Sequence, residues 1–153
     1  MALGKWFRKE QEAAHAGNFP VIKSDAEWRR QLSAEQHRVL REHGTERPFT
    51  SPLNKEHRPG MFHCAACGQD VFAAETKFDS GTGWPSFFHP VDGGVATSED
   101  HAFLMRRTEV HCANCGGHLG HVFEDGPKPT GQRYCINGVS LAFAPKGEGA
   151  KAR

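Results

Sequence analysis

The sequence predicts a mainly β domain preceded by a short helical hairpin, and three observations carry that expectation. Only 37% of the 153 residues are hydrophobic, while 17 are glycine and 9 are proline, a composition suited to frequent turns and short strands rather than long helices. Apolar stretches beyond Gly60 are brief, and most breaks between them carry Gly, Pro or Asp, the punctuation of short β-strands. Four of the 5 cysteines form two Cys-x-x-Cys pairs, Cys64/Cys67 and Cys112/Cys115, a complete ligand set for one tetrahedral zinc and a staple for a small apolar core.

A chain of this length fits one domain and buries roughly 68–70% of its unfolded surface when ordered. Lys plus Arg total 19 and Asp plus Glu 18, a formal charge of +1; without a basic excess, neither nucleic acid nor an anionic membrane is an expected partner. Residues 1–15 hold no apolar run of signal-peptide length, and no window approaches the ~20 apolar residues of a membrane span. Glu10 and Glu12 interrupt the pattern of an organelle presequence. Metal-spaced cysteines suit a reducing compartment, so the expected location is cytoplasmic.

In chain order, residues 1–23 read as a flexible leader that passes through Asn18-Phe19-Pro20 and tolerates truncation. The domain proper is expected over 24–146, with a disordered tail over 147–153. Ser24 with Glu27, and Ser33 with Gln36, are capping-box signatures, so two short helices start there. Trp28, Leu32, Val39 and Leu40 form their core-facing surface, and Gly44 stands as the stop of the second helix. From Thr45 to Gly60, residues Pro48, Pro52, Asn54, Pro59 and Gly60 preclude regular structure and predict an extended crossing over the domain.

Short strands are expected at 61–63, 71–73, 77–78 and 87–88, then a longer one from Ala102 to His111. The last third reads as Leu119 to Phe123, a turn-rich loop over 124–131, Arg133 to Ile136, and Val139 to Phe143. Val139, Leu141 and Phe143 alternate with Ser140 and Ala142, a period of two that puts the large groups on one buried face.

His63-Cys64-Ala65-Ala66-Cys67-Gly68 and His111-Cys112-Ala113-Asn114-Cys115-Gly116 are near copies, each closed by glycine. Two such knuckles make a four-cysteine site, and four thiolates leave no open position, so the zinc is structural. Redox-active pairs or free buried thiols are the other readings of this spacing. Haem attachment is excluded, because its motif has histidine after the second cysteine.

Cys135 is the one cysteine without a neighbour in sequence. A lone cysteine in a strand is commonly a small buried apolar residue, but this one has company. Arg133 lies two residues before it, Asn137 two after, and His118 and His121 stand in Gly117-His118-Leu119-Gly120-His121. Arginine and histidine beside a thiol favour thiolate, and histidine also delivers protons. Three residues apart, the histidines share a side on a helical turn and oppose each other on a flat strand, and Gly120 leaves either open. Gly83-Trp84-Pro85-Ser86-Phe87-Phe88 is a rigid aromatic loop that serves either core packing or a substrate platform.

Phe78-Asp79-Ser80-Gly81-Thr82-Gly83-Trp84-Pro85-Ser86-Phe87, Arg107-Thr108-Glu109-Val110, His118-Leu119-Gly120-His121-Val122-Phe123, Asp125-Gly126-Pro127 and Arg133-Tyr134-Cys135-Ile136-Asn137 together resemble the MsrB family, the peptide methionine (R)-S-oxide reductases. The resemblance runs from about Ser24 to Ala144 and includes both cysteine pairs. It implies small barrel-like antiparallel sheets, with Cys135 as the nucleophile that attacks the sulfoxide sulfur. It further implies that His118, His121 and Asn137 line the sulfoxide oxygen, Arg133 sits beside the thiolate, Trp84 receives the methyl group with Phe87 beside it, and Cys64, Cys67, Cys112 and Cys115 bind zinc. Which histidine is the acid stays open on spacing alone.

Many members of that family carry a second cysteine between the two glycines of the Gly-x-Gly-Trp-Pro-Ser-Phe loop, where this chain has Thr82. The expected recycling of the Cys135 sulfenic acid is therefore by an external reductant, thioredoxin or a small thiol, with the protein acting as a monomer on oxidised proteins or peptides. Two rival readings of the same residues are a zinc-ribbon adaptor and a cysteine hydrolase using Cys135 and His121.

Overall fold

The computed structural model describes residues 19–101 and 105–147, so the expected leader up to residue 18 and the tail beyond residue 147 lie outside the described residues. The described end of the leader is docked: the Val21 amide donates to the Asn114 carbonyl at 2.9 Å, and Val21 packs against the core.

Helices α1 (Asp25–Gln31) and α2 (Ala34–Glu42) begin where the caps predict. Ser24 Oγ accepts the Glu27 amide at 3.1 Å while Glu27 Oε1 accepts the Ser24 amide at 2.8 Å; Ser33 and Gln36 repeat the exchange at 3.1 and 2.9 Å. Such a cap stabilises a helix by about 1 kcal/mol. Trp28, Leu32, Val39 and Leu40 are all buried, as their spacing predicts. The stop differs in detail. His43, not Gly44, takes the left-handed conformation, with φ 56°. The Gly44 amide donates to Arg38 O at 2.9 Å, and a Cβ at position 44 would crowd that oxygen, so this glycine answers a close approach.

Nine strands follow: β1 (Gly60–Cys64), β2 (Asp70–Ala73), β3 (Lys77–Phe78), β4 (Ser86–Phe87), β5 (Val95–Asp100), β6 (Arg107–Cys112), β7 (His118–Phe123), β8 (Arg133–Ile136) and β9 (Leu141–Pro145). They pair antiparallel throughout, in a three-stranded sheet of order β2-β1-β9 and a six-stranded sheet of order β3-β4-β8-β7-β6-β5. The fold is thus mainly β, with two helices and two antiparallel sheets among the described residues.

Three departures from the sequence expectations have physical causes. Strand β5 lacks an apolar signal because it is the outer edge of its sheet, half-buried or exposed along its whole length, and Glu99 and Asp100 guard that edge against further pairing. The long strand expected from Ala102 begins only at Arg107, and residues 102–104 lie outside the described residues. The last strand begins at Leu141 rather than Val139, because Gly138–Ser140 forms a 3-10 turn. There the Gly138 and Val139 amides donate to the Glu46 carboxylate at 2.8 and 2.9 Å instead of to a ladder.

Phe72 stacks on Phe87 with centroids 4.3 Å apart, and Phe62 meets Phe87 edge-on at 5.1 Å. All three side chains are fully buried, and each such burial is worth about 3 kcal/mol. The alternation of a strand sets the use of each residue on β8: Tyr134 and Ile136 join this core, leaving Cys135 to the opposite face.

Candidate active site

One cross-strand row builds the site. Ser86 of β4 pairs with Cys135 of β8, Cys135 with His121 of β7, His121 with Glu109 of β6, and Glu109 with Ser98 of β5. Directly paired residues point to the same face, so His121 and Glu109 belong to the face that Cys135 occupies. Phe87, one residue from Ser86, pairs with Tyr134 and points the other way. Phe87, expected from the sequence to bind substrate, is not among the residues that line the cavity beside Cys135. It is fully buried in the aromatic core, and its contribution is to support the sheet from behind.

A bulge answers the question of the two histidines. Along β6 and β7 the partners run from Val110↔Gly120 to His111↔His118, one step on β6 against two on β7. The extra residue, Leu119, turns inward and is fully buried. One inserted residue reverses the parity of a strand, so His118 and His121 share a face although they are three apart. Their rings are 5.5 Å apart and nearly perpendicular. Gly120 permits the arrangement, since any Cβ there would overlap the Cys135 carbonyl oxygen.

A cavity of about 290 Å³ opens on this face, lined by Thr82, Trp84, His121, Arg133, Cys135 and Asn137 among others. Its volume suits one side chain better than a large cofactor. His118 is not in the lining; it is buried behind His121. Cys135 Sγ lies 3.9 Å from Thr82 Oγ1. Burial pushes the Cys135 thiol above the ordinary range, and the Thr82 hydroxyl and the Arg133 charge offset only part of that rise.

The other side chains of the cavity are pinned from outside it. Trp84 Nε1 donates to Glu46 O at 3.1 Å. Asn137 Oδ1 accepts the Glu46 amide at 2.9 Å while Asn137 Nδ2 donates to Leu119 O at 3.0 Å, which fixes the amide plane. Arg133 grips Asp125 with both ends of its fork, at 2.9 and 3.1 Å, and lies 4.6 Å over the Phe123 ring. His121 Nε2 is 2.9 Å from Asp100 Oδ2; burial depresses the imidazole pKa against the pull of that carboxylate.

Sequence reasoning missed Glu46, Asp100 and Glu109. Glu46 falls in a stretch read as a surface crossing, and it is buried with its carboxylate on two backbone amides; no sequence signal marks a charge that folds inward. Glu109 carried a usable signal, because Arg107, Glu109 and His111 alternate with Thr108 and Val110 along β6 and describe a polar face.

At the other end of β6 the two knuckles meet. Cys64 Sγ is 3.7 Å from Cys115 Sγ and Cys67 Sγ is 3.5 Å from Cys112 Sγ, far beyond a disulfide bond. These four sulfurs form a group that could hold a metal ion. Asn114 directs its backbone N–H to Cys112 Sγ at 3.4 Å and its Nδ2 to Cys67 Sγ at 3.2 Å, the donors that thiolate ligands accept from their surroundings. Hydrogen bonds among the four sulfurs hold the Cys64 and Cys112 thiols above the ordinary range and the Cys67 and Cys115 thiols below it. Part of the cluster therefore stays protonated, and a cation would be what ionises all four.

A SelR domain model matches residues 32–145. The chain is 60% identical over 126 residues to a protein of Agrobacterium fabrum named peptide methionine sulfoxide reductase MsrB, covering 82% of this chain and 93% of that protein. Proteins with the same name in Methanosarcina mazei and Leptospira interrogans are 52% identical over 134 residues and 54% over 127; these cover 87% and 82% of this chain, and 96% and 97% of the relatives.

Proposed function

The chain belongs to the SelR-domain family of MsrB methionine sulfoxide reductases, and from that premise we infer that it reduces the (R)-sulfoxide of protein-bound methionine with Cys135 as the nucleophile. The observation that carries this reading is the placement of Cys135 in a side-chain-sized cavity, paired across the ladder with His121 and lined by Trp84. The thiolate attacks the sulfoxide sulfur, and the sulfur–oxygen bond of the substrate breaks as oxygen passes to Cys135 with one proton. Methionine sulfur gains two electrons and Cys135 becomes a sulfenic acid. Trp84 offers an apolar face to the substrate methyl group. Imidazole supplies the proton that makes oxygen a leaving group, and Arg133 favours the thiolate on the approach.

Recycling comes from outside the chain. The group opposite Cys135 is the Thr82 hydroxyl, which cannot form a disulfide, and the other four cysteines are gathered in their own cluster. An external thiol, thioredoxin or a small thiol, therefore attacks the sulfenic acid, releasing water and forming a mixed disulfide with Cys135. A second reductant thiol breaks that disulfide to return the Cys135 thiol and leave the reductant oxidised. Zinc is the ion that fits Cys64, Cys67, Cys112 and Cys115: sulfurs about 2.3 Å from a tetrahedral ion stand about 3.8 Å apart, against the 3.5 and 3.7 Å found. When bound, that ion supplies folding energy and offers no open coordination position.

The near-neutral charge supports action on proteins in general rather than on nucleic acid. None of the described helices is long and apolar enough to cross a membrane; it is the cysteine spacing, suited to a reducing compartment, that supports the cytoplasmic placement proposed for a monomeric enzyme of oxidative repair. The test offers both sulfoxide epimers of a methionine peptide with dithiothreitol. The wild type is expected to consume the R epimer alone, one dithiol per methionine formed, and Cys135→Ser to consume neither. Loss of the S epimer, product release without thiol consumption, or an active serine variant would sink the reading.

A further inference from the structure

Two carboxylates that the proposed reaction leaves unused grip the two histidines by opposite nitrogens. Glu109 Oε2 lies 2.6 Å from His118 Nδ1, whereas Asp100 Oδ2 lies 2.9 Å from His121 Nε2. Neither carboxylate lines the cavity. Both come from strands beyond His121 in the sheet order: Asp100 ends β5, and Glu109 is the direct cross-strand partner of His121 on β6. The Glu109 side chain is 10% exposed and that of Asp100 is 20% exposed, so neither bond is a solvated surface pair.

Glu109 is the stronger of the two holds. The same Oε2 also takes His43 Nδ1 at 2.7 Å, from the end of α2. Burial opposes its charge, but bonds from His118 and His43 outweigh it and keep the carboxyl well below the usual carboxylate range. An ionised carboxylate only accepts, so both Nδ1 atoms that reach it carry hydrogen. His43, Glu109 and His118 also qualify by residue type as metal ligands. The separations decide against that use, because ligand atoms about 2.0–2.1 Å from a tetrahedral ion stand about 3.3 Å apart, not 2.6 and 2.7 Å. Asp100 divides its hold, since Arg107 Nη2 takes the same Oδ2 at 3.1 Å.

We propose that Glu109 and Asp100 are positioning residues that assign the two imidazoles opposite tautomers, so that His118 exchanges its catalytic proton at Nε2 and His121 at Nδ1. The inference rests on the sulfoxide reduction proposed above and deepens it. Transfer of oxygen to the Cys135 thiolate consumes one proton, and the imidazole that gives it is left neutral. With Nδ1–H held by Glu109, only Nε2 of His118 can give up and regain that proton. With Nε2–H held by Asp100, the corresponding atom of His121 is Nδ1. His121 Nδ1 is then the titrating nitrogen of the ring that lines the cavity. His118 Nε2 is that of the buried ring 5.5 Å from it, which exchanges its proton with the site through a bridging water. The carboxylates act only through the rings they hold.

Histidine tautomers are read directly from ¹⁵N shifts and long-range ¹H–¹⁵N couplings of the full chain, at a pH where the rings are neutral. The expected spectrum assigns Nδ1–H to His118 and Nε2–H to His121. In Glu109→Gln the amide can offer N–H in place of an acceptor, so His118 loses its fixed tautomer. The single-turnover rate of methionine formation then falls about 100-fold, with substrate affinity within about twofold of wild type. The smaller hold predicts a smaller loss in Asp100→Asn. An Nε2–H tautomer for His118 in the wild type overturns the proposal even if the variant fails to fold, as does a Glu109→Gln enzyme with an unchanged single-turnover rate. A wild type that leaves both sulfoxide epimers intact instead overturns the functional reading beneath it.

Discussion

The knuckle cysteines and Cys135 place one side chain in opposite settings. Cys64 and Cys112 end strands β1 and β6, where the chain turns away, and their sulfurs meet those of Cys115 and Cys67 at 3.7 and 3.5 Å. Cys135 sits within β8 and meets a hydroxyl, Thr82 Oγ1, at 3.9 Å. Four sulfurs gathered in this way could hold a cation, which would take up their nucleophilicity, whereas the Cys135 sulfur stands apart from them among Trp84, His121 and Asn137 in the cavity wall. The difference teaches that chain geometry, turn against strand, separates structural from chemical use of the same residue.

Substitution in the knuckles breaks the comparison most severely. Under the proposed zinc binding, Cys112→Ser removes one of four ligands from a site whose metal would contribute on the order of 10 kcal/mol, comparable with the stability of a whole domain. We expect loss of bound metal and of cooperative thermal unfolding, and a variant that melts like the wild type would place the cluster outside the folding energy. Cys135→Ser is the converse. It should lower reductase activity about 1000-fold or more, roughly 4 kcal/mol in the barrier, while metal content stays unchanged and Tm moves by less than about 3 °C.

Glu46 ranks next. Glu46→Ala strands the Gly138 and Val139 amides and should cost about 2–4 kcal/mol in urea unfolding, with no loss of metal. An unchanged midpoint would show that water replaces the carboxylate. The pH dependence of labelling sharpens the contrast at lower energy. Because burial raises the Cys135 thiol, its thiolate fraction is small at neutral pH and grows about tenfold per pH unit until the raised pKa is reached. Iodoacetamide alkylation of Cys135 should climb in that way beyond pH 9, and Arg133→Ala should slow it at each pH, while the four clustered cysteines, if they hold the proposed zinc, stay unlabelled. A plateau below pH 8 would contradict the direction of the shift.

Thr82→Cys carries the smallest expected change in the first chemical step, and yet it converts the recycling route. A thiol at that position stands opposite Cys135, and mass spectrometry after one turnover should find the two joined where the wild type yields a sulfenic acid trapped by dimedone. A wild-type Cys135 paired with any of the other four cysteines would erase the division between the two sets.

Much of this was legible in the sequence, for reasons local to it. The helix starts are written in Ser24/Glu27 and Ser33/Gln36 because a capping box is completed within four residues. The knuckles are legible because both ligands of each lie in one turn. Strand β5 was not, since an edge strand of Val95-Ala96-Thr97-Ser98-Glu99-Asp100 needs no apolar face. The placement of Phe87 was not legible either: its loop neighbour Trp84 lines the cavity, but pairing with Tyr134 turns Phe87 into the core.

By itself, the sequence determined that the chain has two metal-spaced knuckles, a helical hairpin, short β-strands and a fifth cysteine flanked by Arg133 and Asn137, since each of these is encoded within a few consecutive residues. Only the tertiary structure decided that the Leu119 bulge brings His118 and His121 to one face, that Glu46 reaches across 91 positions to Asn137, and that Glu109 and Asp100 hold the imidazoles by different nitrogens. Register and burial join residues far apart in the chain, and no local pattern records which partners they will meet.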